Sequence, residues 1–170
     1  MDNNVILNQT GMIRTYSGLL VKPMRLNPED IRIADIAQAL SRICRFAGHV
    51  SGFLSVAEHS VEVSRLCPPE LRMDGLLHDA SEAYLGDIPS PIKRLPEMTG
   101  WRAGEERAHK AIAKRFGTKY PHPDPVTQAD RDRLYVEIED WRDTGRGMLP
   151  NEACEYFLDT FVAYGGLMDS

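Results

Sequence analysis

The run His78-Asp79-Ala80-Ser81-Glu82 puts an imidazole and two carboxylates into an otherwise apolar stretch, between Leu76-Leu77 and Ala83-Tyr84. Burying an unpaired carboxylate is costly or forces a pKa shift, so these groups need partners. One arrangement has His78 and Asp79 satisfying each other, or facing solvent near a helix end. Another joins them to His59 on a preceding helix and Asp130 on a later one. Two imidazoles and two carboxylates from three elements suit a divalent ion with room left for water. Glu82 stands one helical turn beyond His78 on the same face, within reach of water on such an ion. Signatures of several other enzyme classes are absent: there is no GxxxxGK phosphate loop, GxSxG elbow, HExxH zinc helix or GxGxxG.

Three helices must position these groups. Ser55-Val56-Ala57-Glu58 has the pattern of a capping box and opens a helix to about Leu66, carrying His59. Beyond Pro68-Pro69, the residues Leu71, Met73, Leu76, Leu77, Ala80 and Ala83 predict one helix that runs through His78 and Asp79 to Gly86. A helix from Val126 to Arg142, with Leu134, Ile138 and Trp141 on one face, carries Asp130. Around these, Ile33, Ile36, Ala37, Leu40, Ile43 and Cys44 predict a helix that ends near Gly48, and Pro89, Pro91 and Pro96 predict an irregular segment. A helix from Gly100 to Phe116 closes at Gly117, a loop covers Tyr120 to Pro125, and a last helix from Glu152 to Tyr164 ends at Gly165-Gly166. Met1 to Met24 reads as an arm or short hairpin with a turn at Thr15-Tyr16-Ser17-Gly18. The expected fold is all-α and a single domain over 1–170: an irregular arm to about 27, a metal-binding core over about 28–143, and a C-terminal helix over about 151–165.

Bulk properties narrow the function further. The 170 residues suffice for one sizeable core, and 42% hydrophobic with 26% charged residues and a mean hydropathy of −0.35 are globular values. No apolar run approaches a bilayer span and no secretory signal opens the chain, so a cytoplasmic protein is expected, with no membrane partner. The 20 Lys plus Arg against 25 Asp plus Glu give −5 with no basic block, which argues against a nucleic-acid polymer and leaves a small phosphorylated molecule open. Cys44, Cys67 and Cys154 are isolated and read as reduced core thiols. Tyr156, Phe157, Phe161, Val162 and Tyr164 on the last helix offer more aromatic surface than one small domain covers, so a homo-oligomer is expected.

The order His59, His78-Asp79, Asp130 resembles the H…HD…D set of the HD-domain metal-dependent phosphohydrolases. It is most similar to the small bacterial 5′-deoxynucleotidases and the related phage dATP triphosphohydrolases. Carrying the resemblance are Ala57-Glu58-His59-Ser60, the stretch HDASEAYLGDIPSPIK from His78 to Lys93, and Gln128-Ala129-Asp130, within roughly Arg42 to Asp140. It implies an HD-domain helical bundle in which His59, His78, Asp79 and Asp130 are metal ligands. Asp132 is a rival for the last place, but on a helix it points about 200° away from Asp130. Such a mixed shell fits Mn²⁺, Co²⁺, Fe²⁺, Zn²⁺ or Mg²⁺, with a second ion left open. The family gives Glu82 a role in proton transfer. Asp87, otherwise a plain turn residue, resembles its second acid, which orients water or holds a sugar hydroxyl. Arg45 with Phe46 resembles the Arg-aromatic pair that holds phosphate and sugar, with Phe here where the family has Trp.

Lys93 and His49 are further candidate phosphate contacts, against a solubilising lysine and a structural histidine. His109 and His122 are expected at the surface, and Trp101 and Trp141 in the core or an interface. The implied reaction is hydrolysis of a deoxynucleotide phosphate ester, with removal of phosphate from a dNMP leading and release of triphosphate from a dNTP the alternative. An HD module that binds a nucleotide without turning it over is the reading from another class.

Overall fold

The structure is a computed structural model and describes residues 10–139 and 147–169. The start of the arm, Trp141 and the end of the helix expected to reach Arg142 lie outside the described residues. The chain is an all-α bundle preceded by a short hairpin, β1 (Ile13–Arg14) paired antiparallel with β2 (Leu20–Val21). The helices are α1 (Ile33–Leu40), α2 (Val56–Leu66), α3 (Arg72–Leu76), α4 (Glu82–Leu85), α5 (Ser90–Lys93), α6 (Thr99–Phe116), α7 (Asp124–Glu139) and α8 (Pro150–Ala163). None of the described helices is long and apolar enough to cross a membrane.

The apolar stripe of α1 buries Ile33, Ile36, Ala37 and Leu40 in the main core, together with Val56, Ala57 and Val61 of α2 and Phe157 and Phe161 of α8. Both ends of this arrangement are tied by carboxylates. Asp35 of α1 accepts the Ser17 backbone N–H at 2.6 Å and its hydroxyl at 2.9 Å, which pins the hairpin turn to the bundle. Asp169 accepts the Ile33 N–H at 2.6 Å and Arg115 at 2.6 Å, so the C-terminal segment caps a helix whose own N-cap, Arg32, offers no acceptor. Of the last-helix residues, Phe157 and Phe161 turn inward, Phe161 meeting Phe116 edge-on at 5.6 Å, while Tyr156 and Tyr164 are half-buried and Val162 is exposed.

Several boundaries differ from the periodicity. The α1 helix stops at Leu40, because Ile43 and Cys44 bury in extended form: Val56 N donates to Ile43 O at 3.0 Å and Arg45 N to Leu54 O at 2.9 Å. The Arg45–Gly48 turn that follows is left-handed, with φ of 56° at Phe46, 53° at Ala47 and 78° at Gly48. Positive φ costs an L-residue roughly 1–2 kcal/mol. Ala47 is exposed, so Ala47→Gly should raise stability by up to about 1 kcal/mol, net of glycine's chain entropy, as read by urea unfolding. The Pro89–Pro96 segment is not irregular throughout, since Pro91 sits in the first turn of α5, where the missing N–H is harmless, and Pro125 likewise lies in the first turn of α7, so the expected Tyr120–Pro125 loop ends at Pro123. On α7 the buried residues are Val126, Ala129 and Glu137, while Leu134 is half-buried and Ile138 exposed. Val126 and Ala129 pack with Val63, Cys67 and Leu71 in a second small cluster, which seats α7 against α2. All three cysteines are free; Cys67 is buried and Cys44 and Cys154 half-buried.

Candidate metal centre

The cluster forms where α2, the turn between α3 and α4, and α7 meet. Ser55 caps α2 by accepting the Glu58 N–H at 3.1 Å, but the Glu58 carboxylate does not return to close the expected box. It accepts Met148 N at 3.1 Å and anchors the approach to α8. His59 is fully buried on the first turn and a half of α2.

The expected continuous helix through His78 and Asp79 is broken. It runs as α3 to Leu76, then as tight turns, with Ala80 N donating to Leu77 O at 3.1 Å and Glu82 N to Asp79 O at 2.9 Å, before α4 begins. In a continuing helix the Gly75 carbonyl would accept Asp79 N. Here it accepts His78 Nδ1–H at 2.8 Å, so the imidazole takes the place of a helical hydrogen bond. Gly75 also brings α3 close to α2: a Cβ there would lie 2.7 Å from Cys67 Sγ and 3.0 Å from Ser64 Cα.

Both imidazoles are locked from behind. A carbonyl only accepts, so His78 carries its proton on Nδ1. His59 Nδ1 lies 2.8 Å from Glu137 Oε1, and Glu137, 2% exposed, also receives Arg45 Nε at 2.7 Å and Arg133 Nε at 3.2 Å. Burial works against the Glu137 carboxylate, but His59 and Arg45 hold its pKa below the usual glutamate value. It is therefore the acceptor, and His59 donates from Nδ1. Both Nε2 atoms are buried in the cluster, the rings 5.3 Å apart at 52°, and neither Nε2 has a hydrogen-bond partner among the described residues.

Carboxylates close the ring. Asp79 Oδ2 lies 3.2 Å from His78 Nε2 and 3.7 Å from His59 Nε2, and Asp130 Oδ1 lies 3.2 Å from His59 Nε2 and 3.7 Å from His78 Nε2. Donor atoms of His59, His78 and Asp79 fall within 4.8 Å of one another, a group that could hold a metal ion. Bonds of about 2.1 Å set neighbouring donors roughly 3.0–3.4 Å apart, so the spacing fits a divalent ion. Burial alone would lower the His78 imidazole, yet Asp79 and Asp130 pull it well above the usual value, a sign that this acidic pocket draws positive charge. Asp132 is exposed and accepts Gln128 Nε2 at 2.7 Å, away from the ring.

The other candidates separate. Glu82 is 5% exposed and its Oε2 is unpartnered among the described residues; burial first, then Asp79 and Asp87, raise its pKa well above the usual value. Asp87 is half-buried after Gly86, raised by burial, with Arg45 and Lys93 opposing and Asp79 assisting. Lys93 Nζ lies 3.5 Å from Glu82 Oε1 and 2.7 Å from Glu105 Oε1, over the half-buried Trp101 ring. Arg45 is buried, held by Glu137 and 3.8 Å from Asp79, with its guanidinium 5.3 Å from the Phe46 ring centroid. His49 is exposed beyond the left-handed turn and is not brought to the ring.

His109 and His122 are not surface residues, because the Tyr120–Pro123 loop folds over the α3–α4 turn. His122 stands edge-on to His78 with centroids 6.5 Å apart. His109 stacks on Tyr120 at 5.0 Å and meets Ser81 Oγ at 3.2 Å, and burial, then His122, pushes its pKa down to about 3.

Sequence reasoning missed Glu137. Its signal is spacing: seven residues beyond Asp130, about two full turns, put the two carboxylates on one face of α7. Partners behind a ligating imidazole commonly set metal affinity by 10–100-fold. Glu137→Gln should therefore weaken divalent-ion affinity by roughly 10–100-fold with the helical content kept, measured by isothermal titration with Mn²⁺.

No family model matches the chain. Two relatives do. An uncharacterized protein of Rhodobacter capsulatus is 35% identical over 125 residues, covering 68% of this chain and 63% of the relative. The uncharacterized protein YfdR of Escherichia coli (strain K12) is 44% identical over 128 residues, covering 75% of this chain and 71% of YfdR. On that similarity the chain belongs to the family of YfdR.

Proposed function

We propose that this chain is a divalent-metal-dependent phosphohydrolase of the HD-domain type acting on deoxynucleotides, with 5′-deoxynucleotidase activity as the leading reading. The observation that supports it most is the pair of imidazoles locked through Nδ1, whose free Nε2 atoms face the oxygens of Asp79 and Asp130. In this reading His59, His78, Asp79 and Asp130 hold the ion. When bound, a divalent ion supplies positive charge that acidifies a coordinated water and shields phosphoryl oxygens.

The chain's own groups do the rest. Glu82 takes up and returns a proton at Oε2, the atom that lacks a partner. Burial first, then Asp79 and Asp87, raise its pKa, which makes it a stronger proton acceptor than an exposed glutamate. Asp87 orients the attacking water or a sugar hydroxyl. Lys93 donates to the phosphoryl group, while Arg45 serves from the edge of the ring, its Nε committed to Glu137 and its Nη1 toward Asp79. Carboxyl groups outnumber cations around the ring, so an anionic substrate needs the ion's charge before it can approach.

The test is a panel of dNMPs, NMPs and dNTPs with Mn²⁺, Co²⁺ or Mg²⁺ and with chelator, with products resolved into phosphate, pyrophosphate and triphosphate. Metal-dependent phosphate from dNMPs is the expected result. Triphosphate from a dNTP alone moves the reading to a triphosphohydrolase, and ion-dependent nucleotide binding without product moves it to a non-catalytic module.

A further inference from the structure

The ammonium of Lys93 is cradled, not free in solvent. Its Nζ lies 2.7 Å from Glu105 Oε1, 3.5 Å from Glu82 Oε1 and 5.0 Å from the centroid of the Trp101 ring, and its side chain is 20% exposed. Trp101 and Glu105 both come from α6, one turn apart and so on the same face. Arg102 of the same helix donates to the carbonyls of Lys93 and Leu95, which ties the end of α5 onto α6. Thus one helix fixes both the backbone and the head group of a lysine whose neighbour across the cradle is Glu82.

An ammonium has three donors. Glu105 takes one at short range. The reach to Glu82 is too long for a strong bond, so that contact stays loose and a donor stays available for an incoming anion. We propose that Glu105 is a positioning residue, which with Trp101 holds Lys93 in reach of a phosphate-monoester dianion and keeps the ammonium from closing onto Glu82. This inference rests on the phosphohydrolase reading. Without Glu105 the nearest carboxylate for Lys93 is Glu82. A Lys93–Glu82 pair then occupies at once the group that moves the proton and the group that meets the phosphoryl oxygen.

A double-mutant cycle tests this, because a residue that acts through Lys93 has nothing to do once Lys93 is gone. With a dNMP substrate, Glu105→Gln is expected to lower kcat about tenfold with KM changed by less than about threefold, since losing a negative charge favours anion binding and offsets the misplaced lysine. In the Lys93→Ala background the same substitution is expected to change kcat by less than about twofold. Equal losses in both backgrounds, or no loss in the first, overturn the proposal, and thermal melts confirm that each variant is folded.

A second readout needs no turnover. With Trp141 replaced by Phe, Trp101 is the sole indole, and orthophosphate should change its emission saturably, with no change in Lys93→Ala. Glu105→Gln should cut the amplitude of that emission change at least about twofold, because the ammonium leaves the Trp101 face, with the midpoint of the titration moved by less than about threefold. If the unsubstituted protein hydrolyses no nucleotide, the phosphohydrolase reading falls and the emission cycle alone decides on Glu105. If it hydrolyses and the cycle is additive, only the Glu105 proposal falls.

Discussion

Asp79→Ala is expected to abolish divalent-ion binding and nucleotide hydrolysis together while the helices stay folded. Asp79 Oδ2 stands near both imidazoles, at 3.2 and 3.7 Å, and its loss leaves Asp130 as the one ring carboxylate among the described residues. The core does not depend on it: Asp79 is half-buried and outside the apolar clusters that join α1, α2 and α8. Its removal relieves repulsion with Asp130 and Glu82 but forfeits the attraction of His78, His59 and Arg45, which against burial holds the Asp79 carboxyl well below the usual range, so the ion-free variant should be less stable than the ion-free parent. The two proteins should differ further when metal is added. An ion at 100 times its dissociation constant stabilises the folded parent by about 2.7 kcal/mol, and the variant should gain none of it. Elemental analysis and paired melting curves with and without Mn²⁺ check both statements. A metal content or metal-induced melting shift equal to the parent's would show that the ion sits elsewhere.

Glu82→Gln should separate proton handling from metal binding. The amide keeps the shape of the side chain and removes the group that can take a proton, so kcat should fall by on the order of 10²–10⁴ while metal stoichiometry is unchanged. The buried position makes the isosteric change the cleaner one, since alanine would leave a cavity beside Lys93. Turnover of a dNMP at the parent's rate would remove Glu82 from the mechanism. A loss of metal along with activity would instead make Glu82 part of the ion's support.

Much of this site was legible in the sequence because its groups are short-range and chemically unusual. The His78-Asp79 doublet and its fit with His59 and Asp130 follow from residue types, and the helices that carry His59 and Asp130 follow from a cap and from apolar spacing. Less legible were features where a side chain competes with the backbone. Periodicity ran a helix through Leu77–Ser81, yet the His78 imidazole claims the Gly75 carbonyl and the helix breaks there. Apolar spacing continued α1 to Cys44, because burial in an extended segment and burial in a helix leave the same mark on so short a stretch. Glu137 escaped notice because a buried carboxylate reads as a solvated one until Arg45, 92 positions away, is seen to meet it. The Lys93–Glu105 contact joins two helices and leaves no local pattern.

Gly75 carries a consequence for which ion the ring could hold. It lies where α3 passes α2 with no room for a methyl group, and its carbonyl holds His78. The distance between the two imidazoles is therefore gauged by an interval between backbones, set by a residue that supplies no donor to the ion. Ionic radii differ on that same scale, with bonds of about 2.1 Å for Mg²⁺ and about 2.4 Å for Ca²⁺. The few tenths of an ångström that a methyl at position 75 would demand would widen the aperture toward larger ions, leaving every liganding side chain in its place in the sequence.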